Sequence, residues 1–167
     1  RDGTLHIGAG ATLSDIAENA LVGQKAPALA QAVSQIGSLQ IRNRATLVGN
    51  FINNAPCADS VPALLIHDAR VRIRSAAQSR VVALSDLLAW PYHTHLGPSE
   101  VVLETLIPTL QSDAVSGFVK LGRRRAVAIS RVTLAMSVVV KEKVIKDCRV
   151  ACGAISPIGV RLRDVET

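Results

Sequence analysis

The chain has 167 residues, enough for one ordinary domain or for a compact domain with a smaller lobe. Apolar residues make up 49%, which supports a packed core and argues against disorder, while aromatics at 2% leave that core to Val, Leu, Ile and Ala. So few aromatics argue against nucleic-acid binding by base stacking. The net charge of +6, from 19 basic and 13 acidic residues, suits phosphorylated cofactors or acidic partner surfaces instead.

Part of that charge lies in two clusters, Arg70, Arg72 and Arg74, and Arg123, Arg124 and Arg125. Both read first as solvated faces. The three cysteines, Cys57, Cys148 and Cys152, form no disulfide framework and no zinc or iron–sulfur spacing. An odd set of scattered thiols suits a reducing compartment, and no signal peptide or bilayer-length apolar run is present, which points to the cytoplasm and away from membranes. The chain opens at Arg1 without Met and enters a strand at once, so it reads as an excised piece of a longer protein or as a processed chain.

The first expected element is a strand, Leu5 to Gly8. Thr12 can then cap a helix, with Asp15 placed to return the hydrogen bond. Leu13, Ile16, Ala17, Ala20 and Leu21 follow the spacing of one buried helical face, and Gly23 ends it. A second helix starts near Pro27, a residue suited to a first turn, with Leu29, Val33 and Ile36 on one side. Gly37 and Ser38 break it. The segment Ile41 to Asp59 is polar, rich in Asn and without period, and reads as an ordered loop. A short helix over Ser60 to Asp68 follows, with Asp59 or Ser60 as its cap.

Arg70 to Ser75 alternates Arg with Val and Ile, the mark of a half-exposed strand. A short helix at Ser85 to Ala89 leads into a loop containing Pro and His. Strands are expected at Val101–Ile107 and Gly117–Leu121. Farther on, Val132, Leu134, Met136, Val138 and Val140 alternate, Lys141-Glu142-Lys143 turns the chain, and Val144–Ile155 returns as an antiparallel partner. Helices early and hairpins late favour an α+β architecture over a doubly wound one.

The loop holds the most informative pattern. Gln40-Ile41-Arg42-Asn43-Arg44-Ala45-Thr46-Leu47-Val48-Gly49-Asn50 is followed by Asn53-Asn54-Ala55-Pro56-Cys57-Ala58-Asp59. Physically, a dinucleotide diphosphate is held well by converging backbone N–H groups in a tight turn, since these donors need no side-chain ordering. Thr46 and Asn50 flank such a turn, and Asp59 is placed to accept from ribose hydroxyls.

This loop resembles the signature of the flavin domains of the molybdenum hydroxylases, the family of xanthine dehydrogenase and aerobic carbon monoxide dehydrogenase: I-R-N, then T-I-G-G-N, then S-P-x-x-D. Further matches follow in order. Leu103 to Pro108 is similar to a strand ending in Ile-Pro, Gly117-Phe118-Val119-Lys120 to an F-x-K element, and Arg125-Ala126-Val127-Ala128-Ile129 to R-x-x-x-I. Cys152-Gly153 with Pro157 and Arg161 resembles the G…P…R ending.

The resemblance implies an α+β fold in two parts. Residues 1–110 would be a flavin-binding subdomain of the xanthine dehydrogenase medium-subunit type. Residues 111–167 would begin an antiparallel-sheet subdomain like the C-terminal part of the carbon monoxide dehydrogenase flavoprotein. It also implies FAD contacts by Thr46, Leu47, Val48, Gly49, Asn50 and Asp59, with Ile36, Val102 and Lys120 lining the flavin or adenine.

In such enzymes a molybdenum cofactor oxidises the substrate. Electrons then pass through 2Fe–2S clusters to FAD and on to NAD+ or another acceptor. Molybdenum and iron–sulfur ligands would lie on partner subunits or domains, leaving this component with binding residues and no catalytic acid or base.

Two departures stand out. Val48 occupies the first position of the expected Gly-Gly pair, where a β-branched residue resists φ > 0 and would crowd a phosphate. The family's other phosphate loop, an Ala-Gly-Gly-Thr-like element, has no counterpart in this sequence. They motivate a rival: an interaction-only domain of the same fold that no longer binds flavin.

Blander readings stand beside these. Asp59 alone reads as a helix cap, and Lys120 alone as a surface lysine. His93 and His95 could form half a metal site without an evident third ligand. His6 and His67 read as structural, and Cys148 and Cys152 as core thiols on one strand face. No nucleophile-elbow sequence occurs.

Overall fold

A computed structural model of the chain describes residues 3–124 and 127–166; Arg125 and Ala126, which carry part of the R-x-x-x-I stretch, lie outside the described residues with Arg1, Asp2 and Thr167. The chain begins with β1 (Thr4–Gly8). Thr12 and Asp15 form the expected capping box at the start of α1 (Leu13–Glu18).

The single long helix expected here is two. Asn19 ends α1 and also caps α2 (Ala20–Lys25), its Oδ1 accepting from the amides of Leu21 and Val22 at 3.0 and 3.2 Å. A side chain that satisfies the next helix's orphan donors makes a break favourable that the apolar period cannot reveal. Gly23 lies inside α2 and terminates nothing.

Helix α3 (Pro27–Ser34) starts on its proline and buries Ala28, Leu29, Ala32 and Val33. Ile36 lies beyond its end. The segment expected as one ordered loop contains two further helices, α4 (Leu39–Arg42) and α5 (Leu47–Asn53), capped by Ser38 and Thr46. Capping nucleates these turns, and α5 buries only Leu47 and Phe51, too few positions to show a period.

Helix α6 (Ser60–Leu65) is buried along its whole length. It is shorter than expected, and a turn leads from it into β2 (Arg70–Arg74) and β3 (Ser79–Ala83). Strand β3 has no alternating apolar pattern and was not foreseeable from one; it is an edge strand held by full backbone pairing with β2. Helix α7 (Leu84–Leu87) ends before Ala89, and the chain makes a small ribbon of β4 (Leu88–Trp90) and β5 (His93–Thr94). With β6 (Val101–Pro108) the first sheet is complete, antiparallel in the order β1-β6-β2-β3.

The second sheet takes the strands β7 (Ala114–Gly122), β8 (Ser130–Lys141), β9 (Val144–Gly153) and β10 (Val160–Arg161) in the order β10-β9-β8-β7, again antiparallel. Glu142 and Lys143 turn the β8–β9 hairpin with φ of 53° and 62°, the paired left-handed conformation that matches strand twist. The return strand stops at Gly153, short of Ile155. There a Cβ would lie 2.5 Å from Thr133 Oγ1 and 3.0 Å from Pro62 of α6, so helix and sheet meet closely only because the residue is glycine.

The faces of this sheet are assigned by volume. Thr133, Ala135, Ser137 and Val139 of β8 point inward, and these side chains let α6 approach, while α3 packs on β7. The alternating row Val132, Leu134, Met136, Val138 and Val140 turns outward. With Val115, Val119 and Leu121 of β7 it forms an apolar face on which Val119 is 66% and Leu121 60% exposed. The core lies between the two sheets and is filled by α1, α3, α5 and α6; each fully buried aliphatic side chain there is worth about 1.5–3 kcal/mol.

Candidate functional site

The site is built where the starts of α5 and α6 meet the end of β7. Thr46 has an extended backbone, φ −104° and ψ 159°, and its Oγ1 accepts from the Gly49 amide at 3.0 Å. The diphosphate-binding turn expected from sequence is therefore the first turn of a helix. Its open amides and dipole favour an anion at that end.

This geometry removes the backbone objection to Val48. Neither Val48 nor Gly49 has a positive φ, so the β-branched residue sits in ordinary helical backbone with its half-buried side chain packed on the core. The exposed residue is Gly49. A Cβ there would lie 3.0 Å from Thr46 Oγ1, so glycine protects the cap rather than a left-handed turn.

The side-chain carbonyl of Asn50 is already engaged as an acceptor. Its Oδ1 accepts from the buried Ser60 Oγ at 2.6 Å, tying the first turn of α5 to the first turn of α6. Next to Ser60, Asp59 is 3% exposed and makes no side-chain cap, contrary to the simplest reading of its position. Its carboxylate turns instead to the second sheet. Oδ2 accepts from Lys120 Nζ at 2.7 Å and Oδ1 from Ser130 Oγ at 2.5 Å.

Lys120 is correspondingly no surface lysine. Its side chain is 9% exposed, and its ammonium also donates to the Gln35 carbonyl at 3.1 Å. A buried charge is tolerable when its donors and acceptors are satisfied, and this pair meets that condition. The strand that carries it is fixed by Gln31 of α3, whose Oε1 accepts from the Phe118 amide at 2.9 Å.

Ile36 follows Gln35 directly, half-buried, with its carbonyl accepting from Arg42 Nη1 at 3.1 Å. Val102 sits on β6 opposite Ile73, its side chain half-buried against the common core. Hydrogen bonds join Asn50 to Ser60 and, from Ser60's chain neighbour Asp59, reach Lys120, which in turn holds the Gln35 carbonyl next to Ile36, while Val102 contributes only apolar surface from the first sheet. Leu47 is fully buried, so only its backbone is available to a ligand.

Gln31 and Ser130 were not singled out from sequence, and Ser60 only as a possible helix cap. Ser130 follows Ile129 of the R-x-x-x-I stretch but stands 71 residues from Asp59, and no local spacing links them. Beside Lys120 opens a cleft of about 820 Å³, walled in part by Gln35, Ser38, Arg42, Arg123 and Arg124. Both oxygens of Asp59 are engaged, so the arrangement is suited to holding and orienting a ligand rather than to moving a proton.

Elsewhere, His93 and His95 serve through their backbones, their carbonyls accepting from Asn54 Nδ2 and Arg80 Nη2. No group of three metal-ligating side chains occurs among the described residues. Among the same residues, no helix is long and apolar enough to cross a membrane.

Residues 1–110 match the family described as the FAD binding domain in molybdopterin dehydrogenase, and residues 117–167 match the CO dehydrogenase flavoprotein C-terminal domain. The xanthine dehydrogenase FAD-binding subunit of Escherichia coli is 31% identical over 166 residues, covering 99% of this chain and 57% of that protein. The nicotinate dehydrogenase FAD-subunit of Eubacterium barkeri is 32% identical over 144 residues, 84% of this chain and 49% of that one.

Among solved structures, CO dehydrogenase from Oligotropha carboxidovorans superposes with a TM-score of 0.95 at 19% identity, covering 99% of this chain and 58% of that one. That likeness speaks for the fold. The chain belongs to the FAD-binding domain family of the molybdopterin dehydrogenases. It spans about half the length of the curated relatives it matches.

Proposed function

We propose that this chain binds FAD and serves as the electron-transfer component of a molybdenum-containing hydroxylase or dehydrogenase. The observation that carries the proposal is the hydrogen-bonded unit described above. The first turn of α5, with Gly49 exposed, is tied through Asn50 and Ser60 to the Asp59–Lys120 pair. A dinucleotide needs both parts: backbone donors for its diphosphate and fixed polar groups for its sugar or ring.

The residues present fit that cofactor. We assign the diphosphate to the Thr46–Asn50 turn, led by the Val48 amide because those of Gly49 and Asn50 are held by Thr46, and the sugar or ring to Asp59 and Lys120, with Ile36 and Val102 as apolar walls. FAD, when bound, accepts electrons and passes them on; the chain's part is to bind, orient and shield it. Electrons would reach the flavin from 2Fe–2S clusters on a partner subunit, fed by a molybdenum centre on another, and leave to NAD+ or another acceptor. We further propose a division into a flavin-binding part, 1–110, and a sheet part, 111–167, and a cytoplasmic location suited to the three free cysteines.

The test is reconstitution. Purified chain mixed with FAD and passed through a desalting column should retain flavin absorbance in near-stoichiometric amount. Retention of none, by protein with a folded far-UV spectrum, would leave only the interaction-domain reading.

A further inference from the structure

The chain has one tryptophan, one tyrosine and two phenylalanines, and the fold treats them in two opposite ways. Phe51 and Phe118 are buried. Trp90 and Tyr92 stand in solvent, 62% and 65% exposed, at the turn of the β4–β5 ribbon. A buried aromatic ring removes about 150–250 Å² from water, a large gain for a core so poor in rings. The fold holds these two out instead.

The turn is also strained and firmly tied. Tyr92 has φ 62°, a left-handed backbone that a bulky side chain rarely takes. A ribbon of three and two residues has little stability of its own. Asn54 supplies it. Its carbonyl accepts from the Tyr92 amide at 3.0 Å, and its Nδ2 donates to the Trp90 and His93 carbonyls. All three bonds run to backbone groups of the ribbon, so neither ring is needed to make them. Strain upheld by its surroundings, with both rings in solvent, points to a conformation kept for what it presents.

Rigid exposed Trp and Tyr side chains carry much of the binding energy at protein interfaces. Each offers a large apolar area, few torsions to freeze and a polar tip for the rim. The outward row of β7 and β8 is exposed too, but it is aliphatic and holds no such anchor. The ribbon, in contrast, is fixed to the end of α5, and the flavin reading places the diphosphate at the opposite end. Seven helical residues span about 10 Å. A partner seated on the ribbon is therefore held at a fixed offset from the flavin, as an electron donor must be.

We infer that the Trp90–Tyr92 turn is the anchor on which the iron–sulfur subunit of the enzyme docks, the two rings filling an apolar pocket of that subunit. The identity of the partner rests on the electron-transfer reading.

The experiment is a calorimetric titration of the purified iron–sulfur subunit, with its clusters, into FAD-loaded chain. It compares wild type with Trp90→Ser, Tyr92→Gly and a control on the other exposed apolar face, Val119→Ser/Leu121→Ser. In parallel, 5-fluorotryptophan at the single tryptophan of the wild type gives one fluorine resonance from Trp90. The expected result is a resonance shifted at one equivalent, binding weakened about tenfold or more by each ribbon substitution, and no change in the control. Tyr92→Gly separates docking from a merely structural role. Glycine accepts the left-handed backbone, so the variant keeps its denaturant midpoint while binding more weakly. Trp90→Phe serves should the Ser variant misfold, and it recovers part of the affinity by keeping a ring.

A complex that forms with the fluorine resonance unmoved, or equally well in every variant, would overturn the inference and leave the electron-transfer reading standing. So would ring-dependent self-association, or ring-dependent binding to phosphatidylglycerol vesicles, in place of the complex. Wild type that retains FAD and forms no complex would sink the inference together with the assigned partner, while FAD retention, scored separately, decides the cofactor.

Discussion

Lys120 and Asp59, 61 residues apart in sequence, lie 2.7 Å apart with side chains only 9% and 4% exposed. The pair crosses from the start of α6 to the end of β7 and so clamps the helical part of the chain to the second sheet. Removing either partner strands the other charge in a nearly dry site. Asp59→Asn and Lys120→Met should each cost about 3 kcal/mol or more, and the double variant clearly less than the sum. Denaturant unfolding of the four proteins checks this; additive losses would show that the two charges do not interact.

Asn54 closes α5 in the left-handed conformation, φ 45°, and is 1% exposed. Its Nδ2 donates to the carbonyls of both Trp90 and His93 at 2.9 Å, pinning the β4–β5 ribbon to the helix. Asn54→Gly keeps the backbone angle and loses the bridge; Asn54→Ala loses both. The expected order of stability is wild type, then Gly, then Ala, with the Ala variant down by about 2–4 kcal/mol. Trp90, the sole tryptophan and 62% exposed, reports on the ribbon by its fluorescence. If Ala were as stable as Gly, the left-handed backbone would not be costing anything.

His67 is buried, its Nδ1 on the Pro108 carbonyl at 2.9 Å and its Nε2 without a partner. Burial holds its pKa below the ordinary 6.5, against the raising effect of the Pro108 hydrogen bond. The unfolded chain then binds a proton at a pH where the folded one does not. Stability is greatest above the unfolded value and falls as pH drops from 6.5 toward the depressed folded value. His67→Gln should flatten that part of the stability curve. An unchanged slope in His67→Gln would assign it to other groups.

Much of this was legible before any coordinates. The strand at β1, the capping box of Thr12 and Asp15, the proline start of α3 and the β8–β9 hairpin each follow from short-range chemistry. So did the family, because its elements recur in order along the chain. What sequence did not show was governed by side chains that act at a distance or twice. Asn19 ends one helix and begins the next. The helices of the 41–59 segment depend on the Ser38 and Thr46 caps and bury too little to carry a period. Asp59 sits where a cap would, yet its carboxylate is drawn away by Lys120 and Ser130, partners that only the tertiary fold delivers. Val48 seemed strained only while its turn was taken for a left-handed one.

The central claim is that the amides opening α5 grip the diphosphate of FAD. Amide resonances of isotope-labelled protein during a titration with FAD test it most directly. The account predicts that the largest shift in this turn falls on Val48, whose amide opens the helix, and that Asp59→Asn weakens the titration without moving that shift elsewhere. Shifts that spare the Thr46–Asn50 turn while FAD binds would contradict it.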